Sequence, residues 1–193
     1  MARTRAIGLA LVVVFTAAAC GARPATTVRL RPSTEQESKL LNAALTPLLR
    51  ELRDPALHRP GCPIGVAIAR TARINAGVGP GKSEPCMTFS LVVTEGAFAR
   101  LPVPMLRAVL AHELGHLSLR HTPGKNTQAD ERAADRFAVD LLKRVERHHP
   151  EACVQLVYVL ASLAEHGSLA AAWFASHPSP DRRAETVLEA CNR

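Results

Sequence analysis

His112-Glu113-Leu114-Gly115-His116 closes an apolar run, Met105-Leu106-Arg107-Ala108-Val109-Leu110-Ala111, in which Arg107 is the one charge. An apolar run of this length predicts a buried helix, and Pro102 and Pro104 suit its first turn. Residues four apart share a helix face, so the His112 and His116 rings can reach one metal ion. Glu113 lies about 100° further round the turn, where it can take a proton from an attacking water. Two imidazoles, a base and an open coordination position are the minimal parts for zinc-assisted hydrolysis. The plainer alternative is a surface helix that happens to carry two His and a Glu. The apolar run argues against it, because burying an imidazole pair without a partner is costly.

Such a zinc site needs a third protein ligand. Asp130 to Leu142 reads as a second helix, with Ala134, Phe137, Ala138, Leu141 and Leu142 on its apolar face. Glu131 and Asp135 are four apart and can point at the same object. Glu131 can ligate zinc while Asp135 holds a ligand histidine through its second ring nitrogen. The competing reading is an ordinary solvated helix start, where acidic residues are common.

These residues together resemble the membrane-associated zinc peptidases that include HtpX, the CaaX prenyl protease and BepA. The likeness runs through Val93-Thr94-Glu95-Gly96-Ala97-Phe98, then Ala108 to His116, then His121. Ile74-Asn75-Ala76 resembles the upstream Asn-Ala element of that family. Glu131-Arg132-Ala133-Ala134-Asp135 matches its Glu-x-x-Ala-Asp motif. Ser176-His177-Pro178-Ser179-Pro180-Asp181-Arg182-Arg183 resembles its C-terminal His-Pro segment with a following Arg. The resemblance implies a zincin-like α+β fold and one zinc ion per chain, held by His112, His116 and Glu131. It implies Glu113 as general base and roles near the metal for His177 and Arg183. His177 would either donate a hydrogen bond to the oxyanion or occupy the open position and keep the enzyme latent.

Two departures stand out: a short gap between His116 and Glu131, and no further membrane-spanning stretches. The short gap is shared by the ImmA/IrrE-type regulatory peptidases, which the segment from His116 to Leu142 also resembles. Those proteins are usually cytosolic and lack the His-Pro segment, so they rank second. His121 is five residues past His116, off the ligand face, and is read as structural.

Outward from this centre, Ser33 to Arg53 reads as the first helix. Thr34 and Glu37 offer a capping box, and Leu41, Ala44, Leu45, Leu48, Leu49 and Leu52 form its apolar stripe. Pro47 is expected to bend or divide it. Ile64 to Ala69, Arg73 to Val78 and Met87 to Val93 read as short strands, expected to form a small antiparallel sheet beside the metal helix. The resemblance implies that an edge strand near the metal, here Met87 to Val93, holds the substrate as a further strand, through backbone hydrogen bonds that tolerate many side chains. Glu151 to His166, Ser168 to Ser176 and Pro180 to Ala190 read as helices, with Trp173 and Phe174 in the core. The fold expected is mostly helical with this one small sheet.

The N-terminus carries Arg3 and Arg5, an apolar run from Ala6 to Ala19, and then Cys20. Charge, apolar core and small residues before the break describe a secretory signal peptide over residues 1–19, too short for a comfortable membrane span. Ala17-Ala18-Ala19-Cys20-Gly21 resembles a bacterial lipobox, with Ala17 where Leu is usual; an ordinary cleaved signal is the alternative. Lipidation of Cys20 would tether the chain by acyl chains, with the remainder of residues 20–32 as a flexible spacer. Residues 33–193 suffice for one domain with one core.

Export changes how Cys62, Cys86, Cys153 and Cys191 read. Four cysteines in an oxidising compartment suggest two disulfides among three connectivities. Cys62 with Cys86 and Cys153 with Cys191 is the favoured set, the first closing the strand region and the second pinning the last helix. The formal charge of +7 becomes +5 without Arg3 and Arg5, with 22 basic against 17 acidic residues. Dispersed Arg, few aromatics and export argue against nucleic acid as a partner.

The expectation is a zinc endopeptidase of the bacterial cell envelope, lipid-anchored and facing the periplasm. Its substrates would be misfolded or envelope proteins. A non-catalytic envelope lipoprotein with a structural zinc site is the alternative from a different class.

Overall fold

The computed structural model describes residues 29–52, 57, 65–80, 89–121, 126–147, 154–165 and 180–192. The expected signal segment over residues 1–19, Cys20, Cys62, Cys86, Cys153, Trp173, Phe174 and His177 lie outside the described residues. Cys191 is disulfide-bonded.

Thr34 starts the first helix, α1 (Glu35–Glu51). Its hydroxyl accepts the Glu37 N–H while the Glu37 carboxylate accepts the Thr34 N–H, completing the expected capping box. Leu41, Ala44, Leu45 and Leu48 are buried along one stripe. The helix runs undivided through Pro47, contrary to one of the two outcomes expected of that proline. Pro47 has no N–H to offer the carbonyl of Ala43. Arg107 supplies the missing donor, with Nη2 3.1 Å from the Ala43 oxygen. The same guanidinium pairs with Glu146, which caps the fourth helix. The single charge in the apolar run thus fastens three helices together.

The sheet is mixed, not antiparallel. Its strands are β1 (Leu30–Arg31), β2 (Gly65–Ala69), β3 (Ala76–Pro80) and β4 (Phe89–Thr94), in the order β1-β2-β4-β3. β2 runs parallel to β4, in the register Gly65 opposite Ser90 to Ala69 opposite Thr94. β1 and β3 each pair antiparallel with their neighbour. The strand expected at the edge, β4, is therefore interior. It is the apolar strand, with Leu91 and Val93 buried. β3 reads Ala-Gly-Val-Gly-Pro and takes the edge, where glycine and proline are tolerated.

β1 belongs to the stretch expected to be spacer. Its two residues are held by Arg31, whose Nη atoms each donate to Glu37 at 2.7 Å and whose Nε donates to Glu95 at 2.8 Å. The hydrogen bonds from Arg31 are the main reason that the Glu37 carboxyl falls from its ordinary 4.5 to about 2. A folded-state value below the unfolded one gives stability that is complete above about pH 4.5 and disappears as the pH falls towards 2. Glu37→Gln is therefore expected to lower the melting temperature at neutral pH, with the gap to wild type closing in strong acid. Thermal unfolding across that range checks it; a gap independent of pH would remove the ionised pair from the account.

Thr94 ends β4 and caps α2 (Glu95–Arg100). Its hydroxyl accepts the Ala97 and Asn75 N–H groups and donates to the Asn75 carbonyl. At Gly96 a Cβ would sit 2.2 Å from the carbonyl oxygen of Ala72, so only glycine fits there. Helices α3 (Val103–Ser118), α4 (Gln128–Val145), α5 (Val154–Glu165) and α6 (Pro180–Cys191) complete the described residues. α3 is central and packs on α1, α4, α5 and β3. Its Leu106, Leu110 and Leu114 meet a core that includes Ile68, Leu91, Leu141, Leu142, Leu160 and Val187. No described helix is long and apolar enough to cross a membrane.

Candidate metal centre

His112, Glu113 and His116 all lie buried on α3. The two imidazoles stand nearly perpendicular, at 85°, with their Nε2 atoms 3.0 Å apart. α4 crosses α3 at Gly115. A Cβ there would lie 3.0 Å from the carbonyl oxygen of Ala134 and 3.1 Å from its Cα. Backbone atoms cannot rotate away, so the missing side chain is what lets the helices approach this closely. One turn earlier on α4, Glu131 then reaches both rings. Its Oε1 lies 3.4 Å from His116 Nε2 and its Oε2 3.4 Å from His112 Nε2. The ligand atoms of the three residues lie within 4.8 Å of one another.

Glu131 is fully buried, and neither carboxylate oxygen accepts a hydrogen bond among the described residues. Its nearest cation is Arg183, with Nη1 3.1 Å from Oε2. A carboxylate withdrawn from water in this way needs positive charge beside it. Two imidazole nitrogens and one carboxylate converging in a buried space are a donor set that fits zinc.

Around these donors lies a further layer of contacts. Asp135, one turn beyond Glu131, places Oδ1 2.9 Å from His112 Nδ1. Arg183 on α6 grips the same carboxylate with two prongs, Nη2 to Oδ1 at 2.6 Å and Nε to Oδ2 at 2.8 Å. Burial alone would raise the Asp135 carboxyl, but hydrogen bonds from Arg183 and His112 hold it well below the usual range. For His112, burial and the Arg183 charge oppose protonation. Its contacts with Asp135 and Glu131 outweigh them, and its pKa is raised. Arg183, expected near the metal, is thus brought to the site by α6 and is only 2% exposed.

The sequence reading of His121 missed a contact. His121 stands outside the three-donor cluster, as its spacing predicts, yet its ring folds back onto His116. The helix ends at Leu119, and Arg120 has a positive φ of 57°. The His121 N–H then bonds the carbonyl of His116 at 2.9 Å, and the Arg120 N–H that of Leu117 at 3.0 Å. These are the paired bonds of a Schellman turn, with Arg120 where glycine is usual. His121 Nδ1 lies 2.9 Å from His116 Nδ1, and its Nε2 3.5 Å from Asp130 Oδ1. One signal was available: Pro123 soon after shows that helical spacing has stopped applying.

Two histidines of α3 and Glu131 of α4 thus form a cluster that could hold a metal, with Glu113 next to His112 on α3. The pattern of Peptidase family M48 matches residues 39–129 and 123–190, and the chain belongs to that family. The match favours the HtpX, prenyl protease and BepA resemblance over the ImmA/IrrE one. No curated protein and no solved structure matches the chain significantly.

Proposed function

We propose that this chain is a zinc-dependent endopeptidase of the bacterial cell envelope that cuts unfolded or misfolded proteins. The observation that carries the reading is the buried convergence of His112, His116 and Glu131 with Glu113 beside them on α3. Zinc bound there supplies a Lewis acid that activates water and polarises a peptide carbonyl. His112, His116 and Glu131 would hold it. Glu113 takes the proton from the attacking water and passes it to the leaving amine. Asp135 accepts the Nδ1 proton of His112 and fixes that ring, with Arg183 holding Asp135 in turn.

β3 packs against α3 and forms the outer edge of the sheet. At Gly77 a Cβ would meet nothing within 4 Å. An extended substrate added to this edge would be held by backbone hydrogen bonds with little demand on its side chains. Such loose selection suits unfolded chains. The N-terminal apolar run and Cys20 support a lipid-anchored, extracytoplasmic location.

Zinc per chain in the purified protein, set beside Glu131→Ala, tests the reading. About one zinc in wild type, lost or weakened at least tenfold in the variant, is expected. A folded wild type that binds no zinc would overturn it in favour of a non-catalytic binding lipoprotein.

A further inference from the structure

The two ring nitrogens of His116 face different partners. Nε2 points at His112 and Glu131, and Nδ1 at His121. A ring that ligates through Nε2 keeps its proton on Nδ1. That proton can be donated to His121 Nδ1, 2.9 Å away. His121 must then accept on Nδ1 and carry its own proton on Nε2, the atom nearest Asp130 Oδ1 at 3.5 Å. The other oxygen of Asp130 accepts the N–H and hydroxyl of Thr127, which caps α4. The order His116, His121, Asp130 therefore runs back to α4, one residue before Glu131. His112 reaches the same helix through Asp135.

We infer that His121 is a positioning residue. Held by the left-handed turn at Arg120, it accepts the Nδ1 proton of His116 and so fixes the tautomer and ring plane in which His116 offers Nε2 to the metal. A Schellman turn is commonly closed by an apolar contact between its last residue and the residue five before it. Here an imidazole pair takes that place, only 11% of the His121 side chain being exposed. The two ligand rings are thus oriented separately, His112 by a carboxylate on α4 and His116 by a second histidine.

This inference rests on the zinc-binding reading proposed above, and one set of measurements separates their failures. Zinc affinity is measured on the detergent-solubilised full chain, by competition with a coloured chelator, for wild type, His121→Phe and His121→Asn. His121→Phe keeps a ring in the turn but has no acceptor, and is expected to weaken zinc about 10–100-fold. His121→Asn can place its carbonyl oxygen near the position of Nδ1 and is expected to recover most of that loss. Long-range nitrogen–proton spectra of the zinc-loaded wild type are expected to show a slowly exchanging Nδ1 proton on His116. That readout needs no variant, so it stands if His121→Phe fails to fold.

Zinc bound equally well by wild type and folded His121→Phe overturns the positioning role alone. So does a zinc-loaded wild type in which the His116 Nδ1 proton exchanges freely. No zinc in wild type overturns both readings.

Discussion

Glu113→Gln is expected to reduce hydrolysis of an unfolded protein by about a hundred- to ten-thousand-fold, with zinc content and melting temperature close to wild type. The amide matches the carboxylate in shape and stays buried in the same turn of α3. It cannot accept the proton that the attacking water must lose. The check is turnover of a denatured substrate by zinc-loaded wild type and variant at equal metal content. Turnover retained by the variant would take Glu113 out of the proton path and leave the peptide-cutting reading without a base. If zinc is lost along with turnover, Glu113 is helping to hold the site.

The second large effect concerns stability. Arg183→Ala is expected to cost about 3–5 kcal/mol, read by denaturant unfolding of the metal-free protein. Arg183 and Asp135 are both essentially buried, and removing the guanidinium strands the carboxylate beside that of Glu131. Arg183→Lys is expected to restore only part of the loss, because a single ammonium cannot make the two-pronged contact. The sign with pH follows from Asp135, whose pKa is held below the usual range in the folded protein. Its contribution is complete above the unfolded carboxyl value, about 3.9, and is lost as the pH falls below it. The gap between wild type and Arg183→Ala therefore narrows in acid. A loss of under about 1 kcal/mol at neutral pH would mean that water reaches Asp135 once the arginine is gone.

What could be read from the sequence follows a physical boundary. Helical periodicity is local, so α1, α3 and α4 were legible, as was the facing of His112 with His116 and of Glu131 with Asp135. Strand direction is not local. The apolar alternation of β4 says that it is a strand but not that its neighbour β2 runs parallel. β1 has only two residues and no period to detect, and what holds it is an arginine reaching Glu37 and Glu95. His121 was rightly placed outside the ligand set, but its contact with His116 was not legible, because helical spacing stops where Arg120 turns the chain back. The need that Arg107 meets is that of the Ala43 carbonyl, 64 residues away, left without a helical donor by Pro47, and no inspection of α3 alone reveals it.

Asp130, Glu131 and Asp135 all ride on α4, while their partners sit on α3, on α6 and in the turn after α3. A slip of α4 by one residue would turn all three carboxylates about 100° away at once. The three carboxylates therefore reach their partners only when α4 is docked in this register. For a protein proposed to cut unfolded chains, this matters to its own copies. While α4 is undocked, a newly made chain has the shape of a substrate but not the means to attack its siblings.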